Sequence, residues 1–170
     1  MRIDDVFIET GSTCLNKNIL SQSIERNVLD NIELKSGVRA RQVCIGSEDS
    51  FQLARELISK HSLEEELAHA DLIVVVSENV KNIIPPPSSF ILKKFIQINS
   101  MIIDLNRGCS GYVEALAICD TYFLSKKIKK ACIICADNYS HYIHKENRSM
   151  SPIFGDASSI TILSDNNDYI

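Results

Sequence analysis

Hydrophobic and polar residues along the chain sort into short apolar runs separated by amphipathic stretches. Val6-Phe-Ile-Glu-Thr10 alternates weakly and predicts a first strand, closed by Gly11. Residues 16–34 carry Leu20, Ile24 and Val28 at i, i+4, i+8 spacing, which predicts one or two short helices. Asp71-Leu-Ile-Val-Val-Val-Ser77 is apolar and β-branched through its middle, the pattern of a strand covered on both faces, and predicts a central parallel strand. Residues 101–105, Ala131-Cys-Ile-Ile-Cys-Ala136 and Ser158-Ser-Ile-Thr-Ile-Leu-Ser164 are further strands, the last fed by a turn at Phe154-Gly-Asp156.

Helical patterns fill the intervals. Ser47-Glu-Asp-Ser50 opens a helix with Phe51, Ala54 and Ile58 on one face and Leu53 and Leu57 beside them. Ser62, with Glu65 three residues on, has the form of a capping box for a short helix through Leu67. After Pro85-Pro-Pro87, Ser88 and Ser89 are expected to cap a helix running to about Ile98, with Phe90, Ile91, Phe95 and Ile98 opposite Lys93, Lys94 and Gln97. The stretch from Cys109 to about Lys126 is apolar almost all round, so it predicts a buried helix. Strands alternating with helices give a layered α/β domain with a mainly parallel sheet, and 170 residues suit one domain, 1–170.

Composition narrows the function classes. A hydrophobic fraction of 45% and a charged fraction of 24% belong to an ordinary globular protein. A net charge of −4 argues against a generic nucleic-acid binder. Six cysteines behind a start without a signal peptide, Met1-Arg-Ile-Asp-Asp, point to a reducing cytoplasm, and the absence of any run of eighteen apolar residues excludes a helical membrane span.

The chemistry concentrates at Asp104-Leu-Asn-Arg-Gly-Cys-Ser-Gly-Tyr112, where an apolar strand breaks at Asn106-Arg-Gly and delivers Cys109 to the start of the long helix. Unpaired N–H groups and the dipole at a helix start favour a thiolate, the reactive form of cysteine, so Cys109 is a candidate nucleophile; the plain alternative is one more buried small hydrophobe. Arg39 and Arg41, two apart in Ser36-Gly-Val-Arg-Ala-Arg41, would lie on one side of an extended segment and hold a phosphate or carboxylate, or stand solvated. Lys126, Lys127, Lys129 and Lys130 either suit a solvated helix end or face an acidic carrier. Cys132 and Cys135 spell C-x-x-C, but three residues apart on a strand they point to opposite faces and read as core. His141 and His144 lack further ligands for a metal, and no metal site is expected.

Together the Cys-Ser-Gly segment, Asn147-Arg148, Phe154-Gly-Asp156, Ser36-Gly-Val-Arg-Ala-Arg41 and the strand 71–77 resemble the first half of a β-ketoacyl-acyl carrier protein synthase III, of the thiolase superfamily. The resemblance implies a thiolase-like half-fold, layered α/β/α with a mixed, mainly parallel sheet and a buried helix behind the nucleophile. It further implies that Cys109 takes an acyl group from an acyl-CoA or acyl-carrier thioester, with no tightly bound cofactor, and passes it to malonyl on acyl carrier protein. The backbone N–H of Cys109 would stabilise the oxyanion, and Arg148, with Arg39 and Arg41, would bind substrate phosphates.

Departures from the family pattern accompany it. Gly155-Asp-Ala-Ser-Ser-Ile160 replaces a glycine-rich run, Asn31 stands where some bacterial members have a tryptophan, and Asn147 replaces an aspartate. These changes suggest a divergent branch, including one that acylates an oxygen or nitrogen acceptor. The family's catalytic histidine and asparagine lie in a second half, which this chain is expected to lack. A homodimer, or a complex with a chain carrying that half, would then be needed to cover an apolar face, and a non-catalytic half-fold subunit is the alternative from outside the enzymes.

Overall fold

A computed structural model describes residues 1–78, 84–95 and 99–165. Its frame is a five-stranded sheet in the order β1 (Arg2–Thr10), β7 (Asp156–Ser164), β6 (Lys130–Asn138), β4 (Leu72–Val76), β5 (Met101–Leu105). The sheet is mixed: β4 runs parallel to both β5 and β6, whereas β7 is antiparallel to β6 and β1. Every residue of β4 is buried, as its unbroken apolar run requires of a strand with helices on both faces.

Strand alternation divides the core into two layers. Ile73, Val75, Cys132, Ile134, Ile160 and Ile162 point to one face, where α3 (Ser50–Lys60), α4 (Glu64–Ala68) and α5 (Pro87–Leu92) cover them with Ala54, Leu57, Ile58, Leu67, Ile91 and Leu92. Leu72, Val74, Val76, Ala131, Ile133 and Leu163 point to the other, against Ala115, Cys119 and Phe123 of α6 (Gly111–Leu124). The result is the expected α/β/α layering. The C-x-x-C pair divides as expected too, Cys132 in one layer and Cys135 in the other. Beside the sheet, β2 (Thr13–Asn16) pairs with β3 (Ala40–Val43), and α1 (Lys17–Leu20) and α2 (Arg26–Ser36) bury Leu20, Ile24 and Leu29 together.

Four local expectations are corrected. Ser62 caps no helix: it sits at φ 54°, where Leu63 N–H donates to Ile58 O at 2.8 Å and closes α3 in a Schellman turn, leaving α4 with no side-chain cap. Ser88 and Ser89 do not cap α5 with their own side chains. Instead Ser88 donates from its N–H (2.8 Å) and its hydroxyl (2.6 Å) to the carboxylate of Asp104 on β5, which anchors the helix start to the sheet. The expected extension to Ile98 lies partly outside the described residues, as does most of the polar segment 165–168. The long helix begins later than expected: Gly108–Ser110 forms a 3₁₀ turn and α6 starts at Gly111.

The fourth correction concerns the burial of α6. Only the stripe Gly111, Ala115, Cys119 and Phe123 is buried, whereas Val113 is 66% exposed and Leu124 74%. The helix is apolar all round but covered on one side. On β1, Ile3, Val6 and Ile8 are exposed as well. The sequence carries more apolar surface than these layers cover.

Candidate functional site

Parallel strands in an α/β sheet direct their carboxyl ends toward one edge, where ligands in such folds bind. Here the residues just beyond β4, β5 and β6 meet at that edge. Cys109 follows β5 in the 3₁₀ turn, and it is exposed, as is Cys14, while Cys44, Cys119 and Cys132 are buried and Cys135 is partly covered.

Two glycines explain the conformation of this turn. Gly108 adopts φ +56°, and a Cβ on it would lie 2.5 Å from Glu78 Oε1; Gly111 sits so close to β4 that a Cβ would meet Val76 Cγ1 at 2.5 Å. The glycine of Cys-Ser-Gly thus lets α6 dock on the end of the central strand, and the glycine before Cys109 lets the chain pass under a carboxylate. Ser110 then ties the turn to the helix, its hydroxyl donating to Arg107 O (2.9 Å) and Glu114 Oε1 (2.8 Å), while Arg107 pairs with Glu114 at 3.2 Å.

Glu78 and Tyr139 complete the cluster, and neither was singled out from the sequence. Glu78 follows β4; its N–H donates to Asp137 Oδ1 at 2.7 Å. Tyr139 follows β6. Its phenol is raised above its ordinary value first by a hydrogen bond to Glu78 and then by the Glu78 charge, with smaller effects that include Asp137 and Cys109. The signal for both was positional: each is among the first residues past a buried parallel strand, at the edge where α/β sites form.

Asp156 of the Phe154-Gly-Asp motif organises the neighbouring loops. Buried at the start of β7, it accepts N–H groups from Cys44 (2.8 Å) and Ser140 (2.8 Å) and also the Ser140 hydroxyl. Phe154 stacks on Tyr139 with ring centroids 5.1 Å apart. The motif therefore reaches the Cys109 cluster through Tyr139.

The predicted arginines do not form one clamp. Arg39 is 86% exposed at its side chain and pairs with Glu33 at 3.4 Å. Arg41 turns inward instead: its Nη2 donates to Ser151 Oγ at 3.4 Å, its Nε and Nη1 are buried without a hydrogen-bond partner among the described residues, and burial lowers its pKa against the opposing pull of Asp156. It lines a cavity of about 460 Å3 with Leu15, Leu20, Ile143 and Phe154, and that cavity is not lined by Cys109, Glu78 or Tyr139. Arg148 is exposed and pairs with Glu25 at 3.6 Å.

The remaining candidates are structural in their surroundings. Asn147 accepts N–H groups from Ser149 (3.2 Å) and Met150 (3.0 Å), forming a local turn. Asn31 is exposed. His141 Nδ1 meets Asn138 Nδ2 at 2.6 Å, and among the described residues no group of three metal-ligating side chains occurs. Of the lysines beyond α6, Lys126 closes the helix at φ 57°, with Lys127 N–H donating to Tyr122 O at 3.3 Å, and Lys130 pairs with Glu66. Among the described residues no helix is long and apolar enough to cross a membrane.

Comparison with known proteins points one way. Residues 103–170 match the family model of 3-oxoacyl-[acyl-carrier-protein (ACP)] synthase III. A β-ketoacyl-[acyl-carrier-protein] synthase III of Clostridium botulinum (strain Langeland, type F) is 28% identical over 164 residues, covering 92% of this chain and 49% of its own length. The Pasteurella multocida (strain Pm70) enzyme of the same name is 27% identical over 92% of this chain and 51% of its own. The chain thus spans about half the length of the curated relatives it matches. A solved synthase from Burkholderia xenovorans LB400 superposes with a TM-score of 0.87 at 22% identity, covering 98% of this chain and 48% of that one. The synthase III of Aquifex aeolicus VF5 gives 0.83 at 21%, over 98% and 54%. The fold is the thiolase-like half-fold.

Proposed function

Taking as premise a chain that corresponds to one half of a β-ketoacyl-acyl carrier protein synthase III-like enzyme of the thiolase superfamily, we propose that it is an acyltransferase whose Cys109 carries the acyl group. The observation that supports this most is the placement of Cys109: an exposed thiol beyond the carboxyl end of β5, immediately before α6, in a chain that buries three of its other cysteines.

The first step follows from thioester chemistry. The Cys109 thiolate adds to the carbonyl carbon of an acyl-CoA or acyl-carrier thioester, the carbonyl oxygen takes the negative charge, and the tetrahedral adduct expels the donor thiolate. The proton given up by Cys109 ends on that leaving thiol, so an acyl-cysteine forms with no change of oxidation state. The backbone N–H of Cys109, in the first turn of a helical segment, has no intrahelical carbonyl partner and is the proposed oxyanion donor; one such donor is typically worth about 3 kcal/mol. Loss of carbon dioxide from a malonyl-carrier acceptor then supplies a carbanion that adds to the acyl carbonyl, forms the new carbon–carbon bond and expels the Cys109 thiolate, which regenerates the free cysteine.

The uncovered side of α6 and the exposed apolar residues of β1 support assembly as a homodimer or in a complex with a chain carrying the second half of the fold, and acyl carrier protein is the proposed carrier of the acceptor. Arg39 and Arg148, each exposed and paired with a glutamate, are the proposed contacts for substrate phosphates. Arg41, expected with them, packs inward beside Asp156 and is better placed to hold the fold.

Intact-protein mass spectrometry after incubation with acetyl-CoA tests the acyl-cysteine, and consumption of malonyl-carrier with release of carbon dioxide tests the condensation. An acyl adduct that disappears in Cys109→Ala is expected. Adduct formation without carbon dioxide release would favour an oxygen or nitrogen acceptor.

A further inference from the structure

Three adjacent strands, β6, β4 and β5, bring Tyr139, Glu78 and Cys109 to one edge of the sheet. Resting on the reading of Cys109 as acyl acceptor, we propose that Glu78 selects the acyl group: the site takes acyl thioesters with a hydroxyl near the carbonyl and turns away those that end in a carboxylate.

Contact geometry puts the carboxylate against the turn that carries Cys109. Glu78 Oε1 lies where a Cβ on Gly108 would come within 2.5 Å, so it rests against the residue that precedes Cys109. A carboxylate offers about four acceptor positions, and the Tyr139 phenol, whose pKa Glu78 raises, lies in its neighbourhood. The backbone N–H of Glu78 is turned away, to Asp137. Among the described residues no further donor is hydrogen-bonded to the carboxylate, which lies against the turn that carries Cys109.

The surroundings keep those acceptor positions for a donor. The Tyr139 ring is held by its stack on Phe154. Arg107, a cation two residues from Cys109, pairs with Glu114. Glu78 and Asp137 place two carboxylates at this edge among the described residues. A hydroxyl on the second or third carbon of an acyl group would donate to Glu78, whereas a terminal carboxylate would meet like charge at short range.

The test follows acylation of Cys109 by butyryl-CoA, 3-hydroxybutyryl-CoA and succinyl-CoA, using intact-protein mass spectrometry on the protein together with the half that completes its fold. The expected result is 3-hydroxybutyryl loading about tenfold faster than butyryl, the effect of one added hydrogen bond, and succinyl about tenfold slower. Glu78→Ala should bring the hydroxybutyryl-to-butyryl ratio to about one, and Glu78→Gln, which keeps an acceptor but no charge, should raise succinyl relative to butyryl. Each ratio is read within one protein, so partial loss of folding scales the three rates alike. Equal loading of butyryl and 3-hydroxybutyryl, or ratios that neither substitution moves, overturns the role of Glu78 while leaving the acyl-cysteine intact. No Cys109 adduct from any of the three donors overturns both.

Discussion

Cys109 and Cys132 are each tied to a strand of the same parallel unit and differ in role: one follows β5 into a turn and the other sits inside β6. Cys132 is fully buried among Ile73, Ile134 and Leu67, and burial pushes its thiol up to about 12. Cys44 is likewise pushed to about 12, and Cys119 and Cys135 to about 11, each chiefly by desolvation. Cys109 has left the sheet and is exposed at its carboxyl edge. The same side chain is a packing atom where the strand is covered and a candidate nucleophile where the strand ends.

That contrast can be broken in several ways. The largest effect expected is in thiol labelling: iodoacetamide at pH 8 should modify Cys109 and Cys14 at least about 100-fold faster than Cys44, Cys119 and Cys132, as peptide mapping would show. Labelling of the buried thiols at comparable rates would mean that the layers open readily. Asp156→Ala should come next, costing about 2–4 kcal/mol in urea unfolding, because it strands the N–H groups of Cys44 and Ser140 that the buried carboxylate accepts.

Alkaline pH probes the same buried thiols. An unfolded chain releases their protons near the ordinary thiol value of 9.0, whereas the folded chain holds those of Cys44 and Cys132 to about 12. The unfolded state then binds fewer protons, so the contribution of these groups is full below pH 9 and is lost as pH rises from 9 toward 12. A denaturation midpoint that falls over that window is expected, and Cys132→Ala should flatten the fall. The smallest effect is Asp104→Ala, about 1–2 kcal/mol, from loss of the carboxylate that accepts both Ser88 donors at the start of α5.

Much of the fold was legible because its strands announce themselves. The unbroken run in β4 can only be a strand covered twice, and the opposite-face reading of Cys132 and Cys135 follows from a period of two. What stayed hidden depends on partners distant in sequence. Ser88 looked like a self-sufficient cap, but Asp104, sixteen residues later, does the accepting. Ser62 looked like a helix start, and the backbone used it to end the preceding helix. The even apolar pattern of α6 predicted full burial, yet one side is covered, since a pattern states what surface is apolar and not what lies against it.

The site divides along the same line. Cys109 was visible from a strand-turn-helix pattern and its glycines. Glu78 and Tyr139 were not, because each is an ordinary polar residue until the sheet order β6-β4-β5 sets their strand ends side by side. Arg39 and Arg41 show the reverse failure: spacing put them on one side, and burial separated their partners, Glu33 for one and Ser151 and the neighbourhood of Asp156 for the other.

The most direct test of the central claim is to incubate the protein with acetyl-CoA and map the adduct by tryptic mass spectrometry, using Cys14 as an internal control for an exposed thiol without the site. A single acetyl thioester on Cys109, with Cys14 unmodified and no thioester in Cys109→Ala, is the predicted result; equal acetylation of Cys14 and Cys109, or none at Cys109, would contradict it.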